Sequence, residues 1–363
     1  MIGETEIEKY LACVREIAKS HPIIDAHVHP FEVIYGGIRY QPDPHHPGLF
    51  TAGNSGYSEP LRGRWETSGS TNNSSIIDCN GPQARFAPFC MKRLYMHTGP
   101  KCLGDHMDLA GISKAILLPI FHPRDEDESQ MYLLREMFGG DDRFIIGYCV
   151  PNFVKTENIC RSIKGAIAEY GIRILKIHPN ISAIDPGTCQ GRRRIEAILA
   201  ASCDCGLKVI IHGGSSPLLD CPERNYGSIH NLKKIEFGIT DQPVVLAHGC
   251  TYGYETVEVE EFLPLLKDML YRNENLMIDI SATELEAICL MLKKIDHDRI
   301  VFGSDALYEF PWKTVVKLLH ALKLTQKNYL EEFIKISSVN SLGLFRKEFE
   351  HDTATENKIL SVH

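Results

Sequence analysis

The sequence predicts an α/β fold, a (β/α)8 barrel, on three observations. Eight short runs rich in aliphatic and β-branched residues are distributed along the 363 residues. From about residue 114 onward these runs alternate with segments of helical period, which is the pattern of parallel strands joined by crossover helices. No glycine fingerprint follows the first run, and this disfavours the alternative fold, an open doubly wound sheet.

The first predicted strand is separated from the other seven by a long connection. In chain order the eight runs are IIDAHVHP (23–30), KAILLPI (114–120), FIIGYCV (144–150), IRILKIHP (172–179), KVIIHGG (208–214), PVVLAHGC (243–250), LMIDIS (276–281) and RIVFGSDA (299–306). Eight parallel strands are the number that closes a barrel of this type.

Helical segments are recognised by apolar residues at spacings of three and four. Three such stripes are Ile7, Tyr10, Leu11, Val14 and Ile17; Ile159, Ile163, Ile167 and Tyr170; and Leu285, Ile288, Cys289, Leu292 and Ile295. The first predicts an N-terminal helix packed against the barrel. We expect 1–363 to form one domain, with an insertion loop over about 31–83 and a C-terminal helical tail over about 326–363.

Within the insertion, residues 41–75 are dense in Pro, Gly, Ser and Asn. A loop of this length in a compact domain is either a lid or binding loop, or a disordered segment. The sequence leaves both interpretations open.

Composition and charge narrow the classes of partner. The chain is 44% hydrophobic and 24% charged, with a net charge of -8 and no basic block, so we expect no nucleic-acid partner. No signal peptide or membrane span is evident, and the 12 cysteines are scattered without a CxxC pair. We therefore expect a cytoplasmic protein with free thiols. Its expected partner is a small-molecule substrate and not a membrane, and it could form a homodimer.

Polar residues that can bind a metal follow five of the apolar strands. His27 and His29 end the first strand and, two residues apart, share a face. His178, His212, His248 and Asp305 end the fourth, fifth, sixth and eighth strands. Because the carboxyl ends of barrel strands converge on one face, these side chains are expected to meet there, and the pattern favours a metal centre over five independent strand caps. His248, in phase with Val244 and Leu246, is expected to project into the barrel.

Four of these motifs also carry a family resemblance. HVHP, VIIHGG, VVLAHG and FGSDA are similar in order and spacing to motifs of the amidohydrolase superfamily of metal-dependent TIM barrels, and the tail ISSVNSLGLF, with Asn340, resembles the segment that closes its amidohydrolase-2 branch. That branch includes aminocarboxymuconate-semialdehyde decarboxylase. The resemblance implies one divalent metal ion, with zinc the expected species, held by His27, His29, His212 and Asp305.

The resemblance further implies that His248 and Asp305 are catalytic. Imidazoles and a carboxylate suit zinc, which lowers the pKa of a bound water to about 7, so hydroxide is available to attack an amide, ester or lactone of a small carboxylated molecule. The alternative on the same site is a metal-dependent nonoxidative decarboxylase. A noncatalytic binding barrel is a third interpretation, which the complete ligand set disfavours.

Other candidate site residues have less specific signals. Lys176 shares a face with His178, and relatives in the superfamily use a carboxylated lysine on this strand to bridge two metals, so Lys176 is either such a bridge or a substrate or packing residue. His178 is either a substrate contact or a strand-end histidine without a role in binding. For His122 the same two interpretations apply, and the strand-end histidine is the first choice. Arg62 and Arg64 in the insertion could clamp a substrate carboxylate.

Overall fold

The computed structural model describes residues 4–29 and 100–344, except 124, 217–218, 220–221 and 307–308. The insertion loop after residue 29, with Arg62 and Arg64, lies outside the described residues, as does the tail beyond 344. Those predictions therefore remain predictions.

Eight parallel strands form a single sheet in sequential order. They are β1 (Ile23–Val28), β2 (Ile112–Leu117), β3 (Phe144–Cys149), β4 (Ile174–Ile177), β5 (Lys208–Ile211), β6 (Val244–Leu246), β7 (Leu276–Asp279) and β8 (Ile300–Val301). The residues after β8 complete the ring, because the amide of Ala26 donates to Phe302 O at 3.0 Å and that of Asp305 donates to His27 O at 2.8 Å. The predicted barrel is confirmed, and the open sheet is excluded.

Helices surround this barrel. They are α1 (Glu4–Ala18), α2 (Pro100–Ala110), α3 (Ser129–Phe138), α4 (Ile159–Tyr170), α5 (Cys189–Cys205), α6 (Ile229–Leu232), α7 (Thr256–Arg272), α8 (Leu285–Lys294), α9 (Pro311–Thr325) and α10 (Tyr329–Ile334), and a π-helical turn (Lys335–Val339) follows. Within this part of the chain, no helix has the length and apolar character needed to cross a membrane.

The predicted amphipathic stripes are the buried faces of the helices. In α4, Ile159, Ile163 and Tyr170 are buried, and the helix ends at Gly171, whose φ of 65° is the left-handed conformation that glycine adopts without a Cβ clash. Likewise, α1 buries the predicted apolar face that includes Val14 and packs on α9. The N-terminal helix is thus confirmed as a structural element.

The apolar core consists of two layers separated by the strands. Outward-facing strand residues such as Leu175 and Ile211 pack against the helices, whereas their neighbours in sequence, such as Ile174 and Ile210, fill the barrel interior. Both sets are buried, which is why the strand sequences are apolar at almost every position. A polar residue on the inner face of such a strand therefore has an unusual environment.

One irregularity changes which side chains of β1 face inward. Ile24 and Ala26 lie in the interior layer, which would place His27 on the outer side in a regular strand. Between Asp25 and Val28, however, the pairing with β2 shifts by one residue, as in a β-bulge. The extra residue reverses the alternation, so His27 and His29 both enter the barrel mouth.

The C-terminal segment closes against β8. The side-chain amide of Asn340 donates to His297 O at 2.7 Å and to Ile300 O at 2.6 Å, and the amide of Phe302 donates to Ile336 O at 3.2 Å. Asn340 thus satisfies backbone acceptors at the start of the strand that leads to Asp305.

Asn340→Ala is expected to destabilise the fold, because it removes a side-chain donor from two backbone carbonyls. The expected loss in free energy of unfolding is about 1–3 kcal/mol, measured by urea denaturation. Val339→Ala, at a neighbouring side chain that is 55% exposed, is the control and should change stability little. Equal midpoints for the two variants would contradict the role given to Asn340.

Candidate metal centre

Seven polar residues predicted from the sequence lie buried near the carboxyl ends of the strands. They are His27, His29, Lys176, His178, His212, His248 and Asp305, each no more than 4% exposed. Lys176 lies two residues beyond Ile174, and His212 two beyond Ile210, so both continue the inward face of their strands. The structure therefore brings the residues singled out at the strand ends into one region.

His27 and His29 face each other through nitrogens that carry lone pairs. His27 Nδ1 lies 2.9 Å from Asp279 Oδ2, and His29 Nδ1 lies 2.7 Å from Leu118 O. Carboxylate and carbonyl oxygens only accept hydrogen bonds, so each Nδ1 carries the proton and each Nε2 is an acceptor. The two Nε2 atoms are 2.8 Å apart. Burial lowers the pKa of both rings well below its usual range, so neither acceptor is readily protonated.

Asp305 supplies an oxygen to the same point. Its Oδ1 is 3.7 Å from His27 Nε2 and 3.6 Å from His29 Nε2, and it is a buried oxygen without a hydrogen-bond donor among the described residues. Burial raises the pKa of this carboxyl well above its usual range, while Lys176 acts in the opposite direction. The backbone of Asp305 has φ 59°, a left-handed turn that redirects the chain at the end of β8.

His248 faces the site because of a backbone turn, and not because of the strand alternation on which the sequence prediction relied. Val244 and Leu246 pack in the outer layer against the helices, so the phase argument would have turned His248 away from the interior. Instead, His248 has φ 57° in a turn directly after β6. That left-handed turn brings one ligand-type atom on each of His27, His248 and Asp305 within 4.8 Å of one another.

His248 and His212 form a second pair of facing nitrogens. His248 Nδ1 lies 2.8 Å from Ser281 O, which makes Nδ1 the protonated nitrogen and Nε2 the acceptor. Its Nε2 is 3.2 Å from His212 Nδ1. Burial lowers the pKa of His248 to about 4 and that of His212 well below its usual range, so both rings are neutral at pH 7.

Lys176 is the cation of this region. Its Nζ lies 2.9 Å from His27 Nε2, and burial lowers its pKa to about 8 although the charges of Asp279 and Asp305 act in the opposite direction. The geometry places Lys176 beside a predicted metal ligand. Its predicted role as a bridge between two metals remains a prediction.

His178 and His122 differ in position. The His178 ring stacks on His212 with centroids 3.9 Å apart, and its Nδ1 accepts from the Ile181 amide at 3.2 Å, so its Nε2 is the protonated nitrogen. His122 is half-buried, and its backbone amide donates to Asp125 at 2.6 Å. Substrate contacts by either residue remain predictions.

Two buried carboxylates beside the site were not identified from the sequence. Asp279 ends β7 and contacts His27, and Asp25 in β1 accepts from the backbone amides of His27 at 3.2 Å and Ser304 at 2.8 Å. Both side chains have no exposed surface. The sequence did contain a signal, because an aspartate within an apolar barrel strand is costly to bury and so indicates buried partners. The prediction was restricted to histidines at strand ends and to the motifs of the family, and neither aspartate belongs to those.

The donor set fits a divalent cation. Two buried acceptors 2.8 Å apart repel each other, and a carboxylate oxygen aimed at the same point has no donor among the described residues. Protonated Lys176 satisfies only one of these atoms. A metal ion would satisfy both nitrogens and the oxygen together, and neutral imidazole with carboxylate is a ligand set that zinc accepts.

Comparison with known proteins establishes the fold. No family model matches the sequence, and no curated protein is significantly similar to it. A solved 2,6-dihydroxybenzoate decarboxylase complexed with 2,6-dihydroxybenzoate has a TM-score of 0.54 at 13% identity, over 76% of this chain and 95% of that one.

Two further structures contain metals. The 5-carboxyvanillate decarboxylase of Novosphingobium aromaticivorans, complexed with manganese and 4-hydroxy-3-methoxy-5-nitrobenzoic acid, has a TM-score of 0.53 at 15% identity, over 90% and 97% of the two chains. An amidohydrolase from Burkholderia multivorans with bound zinc has a TM-score of 0.53 at 12% identity, over 90% and 99%. These structures are named as two decarboxylases and an amidohydrolase, in agreement with the resemblance that the motifs carry. At these identities the likeness establishes the common fold.

The purified protein is expected to bind about one divalent metal ion per chain, and His27→Ala is expected to abolish that binding. Elemental analysis after loading with zinc and removal of free ion measures both. His230→Ala, at an exposed histidine, is the matched control and should bind as the parent does. His212→Ala should lose the ion and His248→Ala retain it.

Other stoichiometries would change this assignment. Two ions per chain would support a carboxylated Lys176 as a bridge. Loss of the ion in His248→Ala with retention in His212→Ala would make the compact group of His27, His248 and Asp305 the binding site. A parent protein that binds no ion would favour a noncatalytic barrel.

Proposed function

We propose that the protein is a metal-dependent hydrolase that acts on an amide, ester or lactone of a small carboxylated molecule. The observation that supports this proposal is the convergence on one buried point of neutral histidine acceptors and an Asp305 oxygen that has no donor among the described residues. His27, His29, His212 and Asp305 would hold the ion. A divalent metal in such a site polarises a substrate oxygen and supplies a nucleophile near neutral pH by lowering the pKa of bound water.

His248 is the proposed proton-transfer group. Its Nδ1–H is held by the carbonyl of Ser281, so the ring is oriented and its Nε2, 3.2 Å from His212 Nδ1, is the nitrogen that can accept a proton. A pKa lowered to about 4 keeps the resting ring neutral, which is the state a general base requires. Asp305, with one oxygen that has no described donor, can accept a proton in the same step. After bond cleavage the protonated ring would return that proton to the leaving group.

Lys176 and His178 are proposed to orient the substrate. Lys176 carries the charge that a substrate carboxylate requires, and His178 presents an Nε2–H donor because its Nδ1 is occupied by the Ile181 amide. Since both are buried, each interaction would be little weakened by solvent. A carboxylated substrate therefore agrees with the groups available.

Nonoxidative decarboxylation is a second candidate. It is favoured by the comparisons, because structures named as 2,6-dihydroxybenzoate and 5-carboxyvanillate decarboxylases are among those with this fold. In that reaction a protonated group of the site would deliver a proton to carbon as the carboxylate leaves. The same residues would take part, and the two reactions differ in whether water enters the product.

Isotope incorporation distinguishes the two reactions. The metal-loaded protein is incubated in ¹⁸O-labelled water with panels of amides, lactones and aromatic acids that carry carboxylates. The proposal predicts ¹⁸O in the product, without release of CO₂, and a decrease in kcat of about 10²–10⁴ in His248→Ala. His230→Ala is the control for nonspecific effects. Release of CO₂ with no ¹⁸O in the organic product would exclude hydrolysis and establish the second candidate.

A further inference from the structure

Asp279 connects two of the histidines of the site. Its Oδ2 lies 2.9 Å from His27 Nδ1, while its Oδ1 accepts from the backbone amides of His248 at 2.8 Å and Ser281 at 3.0 Å. The carboxylate is completely buried. Oδ2 thus accepts from a histidine ring, whereas Oδ1 accepts from backbone amides.

Ser281 completes this connection. Its carbonyl accepts from His248 Nδ1, and its hydroxyl donates to Asp279 Oδ1 while lying 3.1 Å from His27 Nδ1 and 2.9 Å from His248 Nδ1. The rings of His27 and His248, which come from the ends of β1 and β6, are therefore oriented by one Asp-x-Ser segment at the end of β7.

We propose that Asp279 is a positioning residue that sets the tautomer of His27 and so makes His27 Nε2 available to a metal. This inference rests on the metal site of the proposed function. A carboxylate can only accept, so His27 must protonate Nδ1, and the lone pair is left on Nε2, which faces His29 and Asp305. Lys176 Nζ, 2.9 Å from Nε2, favours the same tautomer as a donor, but without Asp279 the group left at Nδ1 is the Ser281 hydroxyl, which can donate as well as accept and does not fix the proton there.

The arrangement predicts a specific effect of Asp279→Asn. The two backbone amides at the Oδ1 position can only donate, so the oxygen of the new side chain must occupy that position. Its NH₂ group then faces His27 Nδ1 and donates to it. His27 would shift its proton to Nε2, and the lone pair that faces the metal site would be lost.

Asp25→Asn is the matched control. Asp25 is equally buried and lies in the same region, but it accepts from the backbone amides of His27 and Ser304 and from the Ser304 hydroxyl rather than from a histidine ring. Its replacement also removes a buried, hydrogen-bonded carboxylate, but it places no donor facing His27 Nδ1. The two variants therefore separate a general loss of stability from a change in tautomer.

The experiment measures zinc affinity and the His27 tautomer. Long-range ¹H–¹⁵N NMR spectra of the metal-free parent should show His27 protonated at Nδ1, and those of Asp279→Asn should show it protonated at Nε2. Zinc affinity, from competition with a chelator, should fall by about 10–100-fold in Asp279→Asn, as for other carboxylates that orient a metal-binding histidine. Asp25→Asn should retain the parent tautomer and affinity.

The outcomes distinguish this inference from the proposed function. Protonation of His27 at Nε2 in the parent would overturn the inference, and this measurement needs no variant to fold. Unchanged zinc affinity in Asp279→Asn, or an equal loss in Asp25→Asn, would also overturn it. A parent that binds no zinc but has the Nδ1–H tautomer would remove the proposed function and leave the tautomer assignment correct.

Discussion

The site depends on the burial of neutral histidines whose hydrogen bonds leave their lone pairs facing one another. Water is excluded from these rings, so their pKa values fall and protonation does not relieve the repulsion between the nitrogens. The oxygen acceptors beside each Nδ1 prevent the rings from changing tautomer. Lys176 contacts one of the two facing Nε2 atoms, whereas a divalent cation would be a partner for both, and Asp305 would supply an oxygen ligand to it.

The barrel supplies these residues through departures from regular geometry. A bulge in β1 turns His27 and His29 inward, and left-handed turns after β6 and β8 direct His248 and Asp305. Such conformations are unfavourable for residues other than glycine and persist when the surroundings determine them. Here the surroundings are specific, because the amide of His248 is held by Asp279 and that of Asp305 by the carbonyl of His27. The backbone that closes the barrel is therefore the backbone that orients the site.

The regular parts of the fold could be predicted because they repeat. Each strand is apolar on both faces, and each helix has an apolar stripe, so the order of elements follows from periodicity. The shared face of His27 and His29 follows in the same way. Local irregularities have no such period: His248 does face the barrel interior as predicted, but through a left-handed turn after β6 and not through its phase with Val244 and Leu246, which face the helices. Asp279 escaped prediction because its importance lies in contacts with residues distant in the sequence.

Anomalous diffraction at the zinc absorption edge, from crystals of the zinc-loaded protein, tests the central claim most directly. The account predicts a peak at about 2.0–2.2 Å from Nε2 of His27, Nε2 of His29, a ring nitrogen of His212 and a carboxylate oxygen of Asp305. It also predicts that Asp279 remains hydrogen-bonded to His27 Nδ1. A fully loaded protein with no peak at this position, or with His27 turned away from the ion, would contradict it.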